Sequence, residues 1–317
     1  MQNLDLNFNF DMDHLDADVL KTDCNSISEE NDARSIAVIG IDAKIGDAGT
    51  VDEIWQVFLE GKNMISELSA ARRKDAQKLL ASEGRKRSEF ARLAYLSRID
   101  LFDPELFHIS PMEAEYIDPA QRIFLESAWS ALEDAGYGGN KLYGSRTGVY
   151  VGYSSKSSFE EIQANIPNEA LGLAVSGHAN SFMAGRLSYL LNLKGPAIII
   201  DTACSSSMVA LHEACRALRN KDITMAVVGS VHVTLCPDDG QKQMGTSSSS
   251  GYTKSFDGKA DGTGGGEGVI NLVLKPLSDA VVDNDHIYGV IKGSCVNQDG
   301  KSIGLTAPNS EAQADVI

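Results

Sequence analysis

The chain has 317 residues, 43% of them hydrophobic and 23% charged, and a formal net charge of −16. That is enough apolar chain to bury a sizeable core, as one large domain or two smaller ones. The negative balance argues against sequence-independent binding to nucleic acid or anionic lipid, and no apolar run reaches the roughly 18 residues that a membrane-spanning helix needs.

The opening MQNLDLNFNFDMDHLD lacks the basic start and apolar core of a secretory signal. Five cysteines (Cys24, Cys204, Cys215, Cys236, Cys295) occur with no CxxC pair, which predicts neither a disulfide framework nor a zinc site and fits a reducing cytoplasm. Residues 1–33 hold nine acids and one base, Lys21, a net of −8 and half of the chain's charge. Two readings stay open for this segment: a solvated acidic tail, or a docking arm with Leu4, Phe8, Phe10, Leu15 and Leu20 as its contacts. The domain plan is a flexible arm over 1–34 and one folded domain over 35–317.

Ordered structure is predicted to begin at SIAVIGID (35–42), an apolar run suited to a buried strand. VDEIWQVFLEGK follows as a helix with Val51, Ile54, Trp55 and Phe58 on one face and Gly61 as its stop. The one basic stretch, SAARRKDAQKLLASEGRKRSEFAR, is helical in composition and reads as a solvated surface that an acidic carrier could use. DPAQRIFLESAWSALEDAGY (118–137) predicts a long amphipathic helix with Ile123, Leu125, Ala128, Trp129 and Leu132 inward. TGVYVGY predicts a buried strand, HANSFMAGRLSYLLNL a helix, AIIID a buried strand, and the segment after Cys204 a helix. MAVVGSVHV, VINLVLKPL and IYGVIKGSCVN are three further strands. This alternation predicts an α/β layered domain with both sheet faces covered. The stretch TSSSSGYTKSFDGKADGTGGGEG reads as loop. It is no dinucleotide fingerprint, because the sixth position counted from Gly262 is Glu267 and the segment that follows reads as strand. Its glycines suit positive φ angles and close backbone passages.

In AIIIDTACSSSMVALHEACRAL (197–218), Ala197 to Ile200 form the strand, Asp201 and Thr202 the turn, and Met208, Leu211, Cys215 and Leu218 the inner stripe of the helix. Cys204 therefore falls in the first helical turn at the end of a buried strand, where unpaired N–H groups and the helix dipole favour a thiolate. The geometry is that of a nucleophile elbow without the GxSxG residues. Cysteines also pack as small hydrophobes, which is the reading adopted for Cys215, Cys236 and Cys295. For Cys204 the pattern alone leaves both readings open.

The segment DTACSSSMVALHEACRAL resembles the active-site segment of β-ketoacyl synthases, specifically the ketosynthase domains of modular polyketide synthases. IAVIGID, LFDPELFHISPMEAEYIDPAQRIFLESAWSALEDAGY, GSRTGVYVG, AGRLSYLLNLKGPA, KSFDGKADGTGGGEGVINLVLKPL and IKGSCVNQDGKSIGLTAPN resemble the family in the same order, over residues 35–317. DGTGGGEG and IGLTAPN look most like bacterial synthases that use a separate acyltransferase. The resemblance implies a thiolase-like layered fold of two similar α/β halves, working as a homodimer. It also implies that Cys204 accepts an acyl chain from the phosphopantetheine of an acyl carrier protein. Decarboxylative condensation with a malonyl-type extender then follows, with the Cys204 N–H as one oxyanion donor. No directly bound cofactor or metal is implied. Tyr153, Ser154, Ser155 and Lys156, after the TGVYVGY strand, are candidates for lining the acyl tunnel.

The family completes its site with histidines in HGTGT and NxGH motifs, and neither occurs here. The six histidines (His14, His108, His178, His212, His232, His286) do not match them; His212 lies eight residues after Cys204, about 12 Å along a helix axis. The expectation is a complete first half and a second half cut after its opening strand, IYGVIKGSCVN. The missing portion would continue in cis or lie on another chain, and the apolar faces left bare would need a cover. A non-elongating transacylase and a non-catalytic docking piece remain the alternatives to an elongating ketosynthase.

Overall fold

The computed structural model describes residues 34–82, 84–154, 166–237, 246–304 and 307–317. In chain order the elements are β1 (Ile36–Ile45), α1 (Val51–Leu59), α2 (Ala70–Ser82), β2 (Leu93–Ala94), α3 (Pro111–Glu115), α4 (Pro119–Asp134), β3 (Thr147–Gly152), α5 (Leu171–His178) and α6 (Ser181–Leu190), then β4 (Ala197–Ile200), α7 (Ser206–Arg219), β5 (Met225–His232), β6 (Gly265–Gly266), β7 (Gly268–Pro276), α8 (Leu277–Val282), β8 (Gly289–Ile291) and α9 (Ser310–Val316). A six-stranded mixed sheet runs β4-β3-β5-β7-β1-β8. β3 is parallel to β4 and β5, and β7 is antiparallel to both β5 and β1. The C-terminal ends of β1, β3, β4 and β5 therefore share one edge of the sheet.

The central strands are apolar on both sides because each face is covered, as expected for continuous apolar runs. One face carries Ala37, Ile39, Val149, Val151, Val227 and Val273 against Phe124, Leu125, Ala128 and Leu132 of α4. The other carries Ile36, Tyr150, Ala226, Val228 and Leu274 against Ala210, Ala214, Cys215 and Leu218 of α7. Alternation within β3, β5 and β7 sends successive residues to opposite helices. Asp118 starts α4 by accepting the Ala120 N–H at 2.8 Å, with Pro119 in the first turn.

Several sequence expectations change. β4 is an edge strand, with Ala197 and Ile198 exposed, and not a buried one. Of the face expected inward on α1 only Ile54 is buried, while Trp55 and Phe58 are 57% and 65% exposed. Met208 points outward from α7, whose inner face is built from Ser206, Ala210, Ala214, Cys215, Ala217 and Leu218. The strand expected to open a second half instead contributes β8 to the edge of this same sheet, antiparallel to β1. Gly265 and Gly266, read as loop, pair in parallel with Leu93 and Ala94. Gly262 does adopt a positive φ of 139°, where a Cβ would meet the Ser247 carbonyl carbon at 2.4 Å. The acidic arm, Cys24 and His14 lie outside the described residues.

One buried polar group sits poorly. Asn271 of β7 is 0% exposed and lies close to Gly229, as does Phe124, and among the described residues neither end of its amide has a hydrogen-bonding partner. Because a buried unsatisfied amide costs about 1–3 kcal/mol, Asn271→Leu should raise the midpoint of thermal unfolding. A lowered midpoint would show that the amide has a partner worth more than the apolar contact.

Candidate active site

β4 ends at Ile200, whose carbonyl accepts the Tyr153 N–H at 3.0 Å. The chain then turns sharply. Ala203 takes φ +58°, a left-handed conformation that non-glycine residues seldom adopt. Cys204 follows within a 3-10 turn, Ala203–Ser205, that runs straight into α7. The local side chains brace this turn. Asp201 accepts the Ala203 N–H at 3.0 Å, and Ser205 Oγ donates to the Thr202 carbonyl at 2.8 Å. Ser206 Oγ donates to the Ala203 carbonyl at 2.6 Å while accepting the Thr202 N–H at 2.9 Å. The Ser154 hydroxyl and the Ala203 N–H hold the Asp201 carboxyl below its ordinary range. Each of these bonds fixes the backbone on one side of the thiol.

The thiol itself is exposed. Cys215, eleven residues further along and within α7, is fully buried, and burial pushes its thiol up. Cys236 is half-buried and packs against the Leu68, Ala76 and Tyr95 cluster, whereas Cys295 is exposed, so the packing role expected of all three fails only for Cys295. Close approach is built in at Gly152: a Cβ there would lie 2.5 Å from the Ser207 nitrogen. The end of β3 therefore touches the first turn of α7, which only a glycine permits.

Of the other candidates, Tyr153 is 4% exposed and belongs to the α4-side core, while Ser154 is exposed beside Asp201. Ser155 and Lys156 lie outside the described residues. The sequence places Asp201 in the turn but does not by itself assign the bracing to Asp201, Ser205 and Ser206, although a serine run at a helix start is the residue type that makes such turn bonds. Each described histidine has a place of its own. His178 is buried with Nδ1 3.6 Å from Asp118 Oδ2, His212 Nδ1 is 3.0 Å from Ser294 Oγ, and His286 packs edge-on against Tyr288. His108 sits in a left-handed turn, and His232 ends β5.

His232 also lines a cleft of about 700 Å³ on the same sheet edge, walled by Arg73, Arg92, Ser247 to Tyr252 and Thr263 to Gly266. Its wall is held by Glu267, only 2% exposed. That carboxylate receives both terminal nitrogens of Arg72 and the N–H groups of Leu96 and Thr234, the latter two at 3.0 Å. Arg72 also donates to the Leu96 and Thr234 carbonyls and lies over the Tyr95 ring. The basic stretch is thus not wholly a solvated surface, since Arg72 is a buried cross-link. Asp261 steadies the far wall, its carboxyl held well below the ordinary range by the Ser249 and Ser248 hydroxyls.

The family described as "Beta-ketoacyl synthase, N-terminal domain" matches residues 33–280. Polyketide synthase PksM of Bacillus subtilis is 40% identical over 290 residues, which is 89% of this chain and 6% of that protein. Polyketide synthase GfsE of Streptomyces halstedii is 39% identical over 298 residues, covering 92% of this chain and 8% of that one. The ketosynthase from module 6 of the Bacillus subtilis bacillaene synthase superposes with a TM-score of 0.75 at 40% identity, covering 89% of this chain and 46% of that structure. The oxazolomycin ketosynthase domain OzmH KS7 of Streptomyces albus gives a TM-score of 0.76 at 32% identity, covering 89% and 50%. The chain thus spans about half of these solved ketosynthases and a small part of the curated synthases.

Proposed function

The chain belongs to the β-ketoacyl synthase family through its N-terminal domain, and we propose that it carries the acyl-accepting half of a polyketide ketosynthase, with Cys204 as the nucleophile. The observation that supports this best is the exposed thiol on a braced, strained turn at the start of α7, in a chain whose Cys215 is shut into the core. The substrate class is an acyl thioester on the phosphopantetheine arm of a carrier protein. The Cys204 sulfur attacks the thioester carbonyl, a C–S bond to Cys204 forms, and the C–S bond to the carrier breaks. The carrier thiol leaves with the proton. Sulfur serves both steps, being a good nucleophile and a good leaving group. The first-turn N–H groups of α7 and the positive end of its dipole face the charge that develops on the carbonyl oxygen.

Condensation asks for more. Decarboxylation of an extender needs groups that stabilise the enolate; the family's HGTGT and NxGH histidines do not occur in this sequence, and His178 and His212 are engaged with Asp118 and Ser294. The chain alone therefore stops at the acyl-cysteine. Elongation proceeds only where the remaining ketosynthase motifs are supplied. The bare edge of β4, with Ile198 41% exposed, and Phe182 and Tyr189 exposed on neighbouring α6 support a homodimer. We place the domain in a reducing cytoplasm, where Cys204 stays a thiol, and within a synthase that uses a separate acyltransferase. No helix among the described residues is long and apolar enough to cross a membrane.

The test is incubation with acyl-loaded carrier followed by intact mass. An acyl-sized increase that Cys204→Ala abolishes is expected. Carrier binding without any mass increase would replace this reading with that of a non-catalytic docking piece. A β-ketoacyl product from the chain alone would overturn the division of labour proposed here.

A further inference from the structure

Among the described residues, six other than glycine take a positive φ. Three of them, Asn192, Lys221 and Asn284, directly follow the C-caps of α6, α7 and α8, where a left-handed residue ordinarily ends a helix. Ala203 occupies the opposite kind of place, ahead of a helix and one residue before Cys204. At φ +58° its Cβ crowds the following carbonyl, a conformation that alanine leaves unless its surroundings hold it. Every backbone polar group of Thr202 and Ala203 has a side-chain partner. Ser206 Oγ accepts the Thr202 N–H and donates to the Ala203 carbonyl, Ser205 Oγ donates to the Thr202 carbonyl, and Asp201 accepts the Ala203 N–H at 3.0 Å. The two serines stand at the start of α7, so their bonds fold the turn onto its own helix. Asp201 ties the turn to the sheet. Its carboxylate also accepts the Ser154 hydroxyl, and Ser154 follows Tyr153, whose N–H is fixed on the Ile200 carbonyl. These two donors keep the carboxyl below its ordinary range, so it is ionised and accepting at neutral pH.

We propose that Asp201 is a positioning residue for Cys204: by bridging Ser154 and the Ala203 N–H it holds Ala203 left-handed and sets where the thiol stands relative to the ends of β3 and β4. The consequence for acyl transfer rests on the nucleophile role proposed above; the placement of the thiol does not. A backbone rotation at Ala203 turns everything that follows it in the chain, and Cys204 is the next residue. Without the carboxylate, the Ala203 N–H has no acceptor in the turn, and alanine's own preference draws φ back to negative values. Glycine has no such preference, because it lacks the Cβ that makes the left-handed region costly. Asp201 and position 203 are therefore coupled: the brace matters to an alanine there and little to a glycine. A general loss of stability has a different signature, a lowered unfolding midpoint.

Two reactions read the thiol in the full chain. Iodoacetamide alkylation, located on Cys204 within the tryptic peptide 195–216, reports its presentation whatever the natural substrate. Incubation with acyl-loaded carrier reports acyl transfer. D201A should slow acylation about tenfold, the scale of the left-handed cost for alanine, at an unchanged unfolding midpoint. The loss is expected in the maximal rate and not in the carrier concentration at half-maximum, since the thiol and not the carrier contact is displaced. D201N, whose amide oxygen still accepts the Ala203 N–H, should keep most of the parent rate, and D201A/A203G should recover most of what D201A loses. Alkylation should fall and recover in the same order. Should D201A fail to fold, S154A, which removes only the outer bond, is expected to slow both reactions by a smaller factor. Folded D201A that reacts at the parent rate in both overturns the proposal, as does D201A/A203G no faster than D201A. Variants alkylated in this pattern, in a chain that is never acylated, support the positioning and overturn the nucleophile role.

Discussion

Glu267→Leu is expected to unfold the chain or to cost it about 3–5 kcal/mol, the range for removing one partner of a buried ion pair. Glu267 is the point where four segments meet: α2 through Arg72, the strand-end segment through Leu96, the exit of β5 through Thr234, and its own entry into β7. Without the carboxylate, the Arg72 guanidinium stays 90% covered with its charge uncompensated, and the Leu96 and Thr234 N–H groups lose their acceptor. Against a typical total stability of about 5–15 kcal/mol that is a large share. The double replacement R72L/E267L should recover much of the loss, since a buried pair exchanged for apolar groups is often neutral. Chemical denaturation of the two single variants and the double variant reads the coupling directly. Single losses that simply add in the double variant would show that the pair is not the cross-link described.

Gly152→Val is expected to slow acylation of Cys204 by about a hundredfold or more, the scale on which a displacement of about 1 Å acts on a reacting group. The reason is steric and local. The added carbon would meet the Ser207 nitrogen at 2.5 Å and the Ser206 carbonyl carbon at 2.6 Å, so the first turn of α7 must move. Both contacts are backbone atoms, which cannot swing aside as a flexible side chain would. Cys204 precedes that turn by two residues and moves with it. Acylation at the parent rate in a folded Gly152→Val protein would mean that the thiol is not positioned by this contact.

Much of this architecture is legible in the sequence because burial on both faces leaves a plain mark. β1, β3, β5 and β7 are apolar runs sandwiched between α4 and α7, and each is recognisable from composition. AIII at β4 carries the same mark while lying at the edge with Ala197 and Ile198 exposed, because apolar composition alone does not distinguish an edge strand from a central one. The same ambiguity affects Trp55 and Phe58 on α1 and Met208 on α7, apolar residues that this chain leaves in the open. Arg72 escapes a sequence reading for a different reason. Its partner is 195 residues away, so a basic run that looks solvated conceals one buried cross-link. At the site, the strand-to-helix step that presents Cys204 is readable. The strain at Ala203 is not, since alanine carries no preference for positive φ, and the bracing by Ser205 and Ser206 depends on that same turn. Neighbouring blocks, more than local physics, separate Cys204 from Cys215.

That separation is also where the assignment is most exposed to test. Tryptic digestion places both cysteines on one peptide, GPAIIIDTACSSSMVALHEACR, residues 195–216. After the chain is incubated with acyl-loaded carrier, fragmentation of this peptide locates the added acyl group. The mass increase is expected on Cys204 alone, with Cys215 unmodified on the buried face of α7. An acyl group on Cys215, or on any cysteine other than Cys204, would contradict the assignment of the nucleophile.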